Sequence, residues 1–525
     1  MQKLKPEQVI KRAEKAESRK EEWRPIFEDC YKYALPQRNL YGYYESGSHG
    51  QSKMDDVFDS TAINSTQRFA NRLQSALFPP YRNWCTLTAG TDIPQDQAHS
   101  LSEALDIYNE KMFAIIRQTN FDLAMSEMFL DLAVGTGVML IQPGDEVTPI
   151  RFEAVPQFLV SLEEGPFGKI DNVYRKMRLK GEAITQQFPD AKIPESLETQ
   201  IKEKPNEDVD LQEATIYMPE ADYWCYHVLW KKEELVYREL SSSPWVVARY
   251  MKAAGEIYGR GPLLSALPDV KTINQVKKML LQNASIAISG MYTAADDGVL
   301  NPSTIRIQPG AIIPVARNGG PQGESLKPVP RSGDFNLAQM VINDLSVGIK
   351  KIMLDDTMPP DTMSSRSATE VQYRVSELSQ NMGSAYGRLI TEAMFPIVSR
   401  ILEVMDQQGL IDMPLRVDGQ QVKITPVSPL AKVQSTEELQ STMQFAQIIQ
   451  GLGPTAQMFL KEDELIMYIA ERLGVPARMV RGREEREEMM MMMQQAAQEM
   501  QAAQAPENPL DAPLGDQPAD QPSEV

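Results

Sequence analysis

The stretch YGRGPLLSALPDVKTINQVKKMLLQNASIAIS occupies residues 258–289. Leu263, Leu267, Val270, Ile273, Val276, Leu280 and Ala284 recur in it at intervals of three and four. That spacing predicts one long helix with a single apolar stripe. Pro268 falls near its start, where a proline costs least. A Pro/Gly-rich insert follows from Asp296 to Gly333, with strand-like TIRIQPGAIIPVA at its centre. Phe335–Leu354 then reads as a second helix, with Leu337, Val341, Leu345, Ile349 and Ile352 as its stripe. The loop LDDTMPPDTM comes next, and after it a helix-length run from Ser364 to Gly409. The middle of the chain is thus helix, small β module, helix, hinge, helix. A globular core rarely needs that order.

Upstream, residues 5–35 read as one amphipathic helix stopped by Pro36, and RNLYGYYESGSHGQSKMDD as a long exposed loop. Ala62–Leu77 is helical and is closed by FPPYRNW, and Leu101–Ala133 is helix-rich. VGTGVMLIQPGD reads as a strand ending in a turn. Phe152 to about Tyr250 is strand-like throughout, with YWCYHVLW and PWVVARYM as aromatic and β-branched runs and EKPNEDVD as a solvated loop. Downstream, residues 412–433 return to extended character. Thr436–Leu473 is helical, broken by GLGPTAQ, and a further helix begins at Arg481. The acidic, Pro-rich end, residues 506–525, has the composition of a disordered tail.

The 525 residues suffice for about three or four ordinary domains. A formal net charge of −19 argues against a protein that grips duplex phosphates, because such proteins cluster Lys and Arg. It leaves room for a surface past which DNA moves. Cys30, Cys85 and Cys225 are odd in number and far apart, so no disulfide framework is implied and a reducing compartment fits. Cys30 and Cys85 are expected buried. The charged N-terminus has no apolar h-region, and no apolar run reaches the roughly 20 residues of a membrane span.

No assembled catalytic constellation is visible. EEGPFGKI mimics only the end of a phosphate loop. VGTGVM lacks the third glycine and the helix of a dinucleotide fingerprint, so a tight approach between helix and strand is the better reading. His49, His99 and His227 are isolated from one another and from the cysteines, with no zinc spacing; His49 reads as solvated and His227 as a satisfied core residue. Asp55, Asp56 and Asp59 lack the ligand alternation of a calcium loop and read as charge bias near a helix start at Ser60. There is no nucleophile elbow. An enzyme, a cofactor and a metal are therefore not expected. Met489, Met490, Met491, Met492 and Met493 place apolar side chains on every face of their helix, which points to several helical neighbours, as in a bundle or barrel; a frayed low-complexity helix is the alternative.

YGRGPLLSALPDVKTINQVKK (Tyr258–Lys278) resembles the helix-entry motif of portal proteins, the head-to-tail connectors of short-tailed, podovirus-type bacteriophages. RSATEVQYRVSE (Arg366–Glu377) resembles their second signature, and EDCYKYALP and FANRLQSALFPPYRNWCTL also match the family pattern. The resemblance spans roughly residues 10–480. It implies an α+β, mainly α fold that assembles as a ring of twelve subunits around an axial channel at one capsid vertex of the virion. Double-stranded DNA would pass through it, packaged and later ejected, without sequence specificity.

The expected parts, by motif, are a wing region over residues 1–257, a first stem helix within 258–295 and a clip at 296–333. A second stem helix follows within 334–354, and a tunnel loop at 355–366. The long helix and wing return take 367–433, the crown 434–480, and 481–505 is the candidate for a helical barrel. Tunnel-loop candidates are Met358, Pro359, Pro360, Asp361, Met363 and Arg366. Pro359 and Pro360 would stiffen the loop while Met358 and Met363 offer DNA an apolar, conformable surface. Lys271, Lys277, Lys278, Lys350 and Lys351 would give screened phosphate contacts or salt bridges between subunits. The implied partners are further copies of the chain, the terminase large subunit, a tail adaptor, and the major capsid and scaffolding proteins, with assembly in the host bacterial cytoplasm. The rival readings are a structural ring or scaffold protein without a DNA channel, and a nucleic-acid enzyme. The second needs a phosphate loop or a metal-binding acidic triad, and neither is present.

Overall fold

In a computed structural model, the structure describes residues 4–38, 54–90, 93, 95–289, 292–294, 326–328, 335–355, 382–411, 422–451, 462–473, 475, 479–481 and 483–503. The fold is mixed helix and sheet, mainly helical. The predicted first helix is two, α1 (Pro6–Glu21) and α2 (Arg24–Ala34). Pro25 divides them: it has no N–H to continue the first helix, and it is tolerated in the opening turn of the second. Next come α3 (Thr61–Leu77), β1 (Cys85–Ala89), α4 (Gln95–Gln118), α5 (Phe121–Val134) and β2 (Thr136–Pro143). The buried body centres on α3 and α5, where Phe78, Trp84, Phe113, Phe121 and Phe152 stack in edge and face contacts 4.8–6.1 Å apart.

Two antiparallel sheets follow. One has the order β3-β2-β9, with β3 at Ile150–Ala154 and β9 at Trp245–Arg249. The other is a five-stranded meander of β4 (Val160–Glu164), β5 (Ile170–Lys180), β6 (Asp208–Met218), β7 (Tyr223–Trp230) and β8 (Glu233–Leu240). The sequence reads this region as strand alone, yet α6 (Gly181–Gln187) and α7 (Glu195–Glu203) lie within it. They cover one sheet face through Ile184, Phe188 and Leu197, while α1 covers the other with Val9, Ala13 and Ala16. The presumed loop EKPNEDVD is also shorter than expected, because β6 already begins at Asp208.

From the body run α8 (Pro262–Ser289) and α9 (Phe335–Ile352). A short ladder of β10 (Tyr292–Ala294) and β11 (Leu326–Pro328) lies between them in sequence. Beyond residue 381 the chain continues as α10 (Ser384–Leu389), a π turn (Ile390–Met394) and α11 (Phe395–Gln407). Pro396 lacks the N–H that an α-helix would aim at the carbonyl of Glu392, and the wider turn sits at that point. β12 (Val422–Pro426) pairs with β1. α12 (Pro429–Gly451) starts earlier than expected, because Pro429 is at ease in a first helical turn. α13 (Glu462–Leu473) and α14 (Arg483–Ala503) close the described chain. No described helix is long and apolar enough to cross a membrane.

Candidate functional site

The two glycine motifs meet each other. A Cβ on Gly135 would lie 2.0 Å from the Gly259 carbonyl oxygen, one on Gly259 2.2 Å from that of Gly135, and one on Gly261 2.1 Å from that of Ala133. Only glycine allows this approach of backbone to backbone. The Gly261 N–H donates to the Val134 carbonyl at 2.9 Å, and the Gly259 N–H to Thr136 Oγ1 at 2.8 Å. VGTG and YGRG thus weld the root of α8 onto the α5–β2 junction. The close approach expected of VGTG is real, and its partner is the helix-entry motif.

α8 and α9 run antiparallel, the start of one beside the end of the other, where Asp269 lies near Gly348. Burial changes along the pair. Leu263, Ala266, Val270 and Ile273 near the root of α8 are buried, as are Ile349 and Met353 opposite them. Toward the far end, Met279, Leu281, Ile288, Phe335, Leu337, Met340 and Val341 are exposed, with Ile288 at 86% and Met340 at 71%. These side chains lie beyond the reach of the body, on an arm with uncovered apolar surface.

The root is also braced by a strap, residues 54–60. Asn274 Oδ1 accepts the Phe58 and Asp59 N–H groups at 2.7 and 3.2 Å, and its Nδ2 donates to the Asp56 carbonyl at 2.9 Å. Lys277 Nζ lies 2.8 Å from buried Asp59, Lys271 Nζ 2.5 Å from Asp29, and the Lys278 ammonium 5.2 Å from the Phe58 ring centre. Burial pushes the Asp59 carboxyl up, but bonds from Lys277 and Thr61 outweigh it, and the group titrates below its ordinary range. Asp59 Oδ1 takes the Thr61 N–H at 2.8 Å, which accords with charge bias at the start of α3. Asp56 pairs with Lys32 at 2.7 Å. The pairs of Lys271 and Lys277 close within the chain and do not require a neighbouring subunit. Lys350 and Lys351 stand in the last turn of α9, where cations suit the helix dipole.

α9 ends in a clamp. Asp355 accepts Ser65 Oγ at 2.9 Å and faces Arg68 and Arg72 at 3.4 and 3.6 Å; Arg72 also donates to the Leu354 and Asp355 carbonyls. Met358, Pro359, Pro360, Asp361, Met363 and Arg366 lie outside the described residues, as do most of the expected clip, the first part of the long helix and the tail beyond residue 503.

The described part of the long helix is pinned to the sheets by buried charge. Glu392 accepts the Arg249 backbone N–H at 3.0 Å, its Nε at 3.1 Å and its Nη2 at 2.7 Å. Arg388 adds a bond at 3.1 Å, and Arg249 Nη2 also donates to the Gly168 carbonyl at 2.8 Å. Buried Arg400 pairs with Glu403 at 2.8 Å, and Glu403 also takes the Ser241 and Ser242 hydroxyls. His227 is fully buried, with Nδ1 2.8 Å from Glu234, in accord with a core position, although that contact engages only one of its ring nitrogens. On α14, Met490, Met491, Met492 and Met493 are exposed around the helix, and Met489 is partly covered, with Sδ 2.8 Å from Arg481. Exposed Met443, Phe445 and Ile448 on α12 and Ile466 on α13 extend the same uncovered character.

A family described as "Bacteriophage head to tail connecting protein" matches residues 6–480. The chain belongs to that family. The portal-protein expectation drawn from Tyr258–Lys278 and Arg366–Glu377 is thereby borne out. The portal protein of Escherichia phage T7 is 20% identical over 410 residues, 74% of this chain and 72% of that one. The probable portal protein of Bordetella phage BPP-1 is 20% identical over 493 residues, 88% and 86% of the two. Among solved structures, a chain from the virion of a native gene transfer agent particle is 12% identical, covering 75% of this chain and 88% of that one, with a TM-score of 0.33. A chain from the neck of the native particle computed with C12 symmetry is also 12% identical, covering 80% and 92%, with a TM-score of 0.32.

Proposed function

We propose that the chain is one subunit of a closed ring, of twelve copies as the family pattern implies, at one vertex of the phage capsid. Double-stranded DNA is packaged and ejected through its centre. The observation that carries this reading is the α8–α9 arm, whose apolar side chains are mostly covered at its root and mostly bare toward its far end, Val347 and Ile342 being the exceptions. A monomer gains nothing from such an arm, whereas a ring of identical subunits covers each arm with its neighbour through a heterologous, closing contact. The Met-rich helix α14 and the bare faces of α12 and α13 fit a second layer of the same ring, the crown and barrel.

Twelve copies at −19 amount to about −228 in formal charge. A wall of that sign repels phosphate, so DNA slides in either direction without sticking. The clip, residues 296–333, would meet the terminase large subunit during packaging and the tail adaptor afterwards. The rim would meet the capsid and scaffolding proteins, all in the host cytoplasm. Residues 355–366 would face the DNA. Negative-stain microscopy of the purified protein tests the assembly: rings with a central hole are expected, and a stable monomer at high concentration refutes it. A ring that assembles but neither packages nor retains DNA would favour the structural ring without a channel.

A further inference from the structure

The end of α9 carries an unusual closure. The Asp355 N–H reaches back to the Lys350 carbonyl at 2.7 Å and the Leu354 N–H to the Lys351 carbonyl at 3.2 Å. Leu354 adopts φ +56°, the left-handed region where helices commonly place glycine. A leucine keeps that conformation only where its surroundings hold it. The holding groups come from a distant helix. Ser65, Arg68 and Arg72 lie at spacings of three and four on one face of α3. The Asp355 carboxylate, 1% exposed, takes the Ser65 hydroxyl on one oxygen and faces both guanidinium groups with the other. Arg72 in turn holds the carbonyls of Leu354 and Asp355. The donors thus grip both the side chain of Asp355 and the backbone of the strained turn.

We propose that Asp355 is a positioning residue: it latches the inner end of α9 to α3 and fixes the point from which the chain leaves toward residues 356–366. This rests on the proposed channel function. The α8 side of the arm has its own polar brace at Lys271, Asn274 and Lys277, and the Asp355 clamp ties down the end of α9; apolar packing alone tolerates small slips, whereas a charge-assisted, multi-donor clamp has one geometry. Load placed on the segment beyond residue 355 by DNA would pass through the latch into α3 and the body. Without the latch, the same load would displace α9.

The test compares wild type and Asp355→Asn as full-length chains assembled into DNA-filled particles. Asparagine keeps the size and removes the charge that the two arginines face. Both proteins are expected to form rings of the same size. Amide hydrogen exchange over residues 350–355 is expected to rise about tenfold in the variant, with β5–β8 unchanged, and retention of packaged DNA is expected to fall. Asp355→Glu, which restores the charge, should recover part of the retention. Should Asp355→Asn fail to fold, Ser65→Ala removes one donor and is expected to give the same two changes on a smaller scale. Retention equal to wild type despite faster exchange overturns the latch, as does unchanged exchange. Wild-type rings that hold no DNA overturn the channel function instead.

Discussion

Replacing Glu392 with alanine removes the acceptor of four bonds, three of them from Arg249 and one from Arg388. Arg249 is left 1% exposed with one carboxylate near it, Glu164 at 3.6 Å, and two carbonyls, those of Gly168 at 2.8 Å and Ile257 at 3.4 Å. Breaking a buried ion pair on one side costs about 3–5 kcal/mol, because a charge stays behind without compensation. Glu164 and the carbonyls soften that loss, so Glu392→Ala should cost about 3 kcal/mol. Glu392→Gln keeps an acceptor and should cost about 1–2 kcal/mol. Removing both charges in Arg249→Met with Glu392→Met leaves chiefly the Arg249 backbone N–H unpaired and should recover most of the loss. Trp245 reports the event locally, since it lies in β9, is buried, and donates from Nε1 to Thr215 Oγ1 at 3.0 Å. Urea unfolding followed by the fluorescence of all five tryptophans, Trp245 among them, gives the shift in midpoint, in a chain too large for strict two-state behaviour. A cost below about 1 kcal/mol for Glu392→Ala, or a double variant no better than the single one, would refute the view that this pair fastens the long helix to the sheet.

Leu337→Asp and Met340→Asp on the bare arm should leave the circular dichroism spectrum unchanged yet abolish ring assembly. Each apolar side chain covered by a neighbour contributes about 1.5–3 kcal/mol, and an introduced charge reverses that; intact rings by sedimentation would contradict the arm's role. Lys277→Met should remove a component of stability that depends on acid. Because Asp59 titrates below its ordinary range in the folded chain, its contribution is fully present above the ordinary carboxyl range and is lost as pH falls through the lowered value. Urea midpoints from pH 6 to pH 3 should therefore fall more steeply for wild type than for the variant, and parallel curves would count against the pair. Lys271→Met breaks a pair in which both partners are well exposed and should shift stability by less than about 1 kcal/mol in the same titration. Burial pushes the Cys30 thiol up to about 12 and raises that of Cys85 well above its usual value, and Cys225 is buried too. Ellman's reagent at pH 8 should thus label no thiol in native protein and all three in denaturant; rapid native labelling would contradict that packing.

The elements legible in the sequence were those whose signal is local and long. The stripes of α8 and α9 run over enough turns to fix both helices within a few residues. The break between α1 and α2 was hidden because apolar spacing continues across it, although Pro25 marks the place. α6 and α7 span 7 and 9 residues, too short for a period to emerge against flanking strands. What escaped most completely was pairing at a distance. Asp355 lies 290 positions from Ser65, and Glu392 lies 143 from Arg249. No spacing rule links such residues. The glycine approach was half legible: VGTG announced a close contact but not its partner, which is the other glycine motif in the chain.

The lysines show how a sequence reading of charge changes once partners are known. Five cations on two helices look like a supply for phosphate, yet Lys271 and Lys277 are neutralised by Asp29 and Asp59 of the same chain, and Lys278 lies over Phe58. An ammonium drawn onto a carboxylate 2.5–2.8 Å away has little field left to offer a polyanion. Among the described residues, Lys350 and Lys351 have no ion pair, and they stand just before the Asp355 clamp, at the arm's inner end. If DNA meets any cation of this helix pair, as the proposed function has it, the candidates are those two and Lys278, whose charge a ring face does not cancel. Three charges per subunit against a net of −19 would amount to a brief foothold rather than a grip. In the proposed conduit, that balance would give enough attraction to slow a polyanion and a net negative charge that lets it leave.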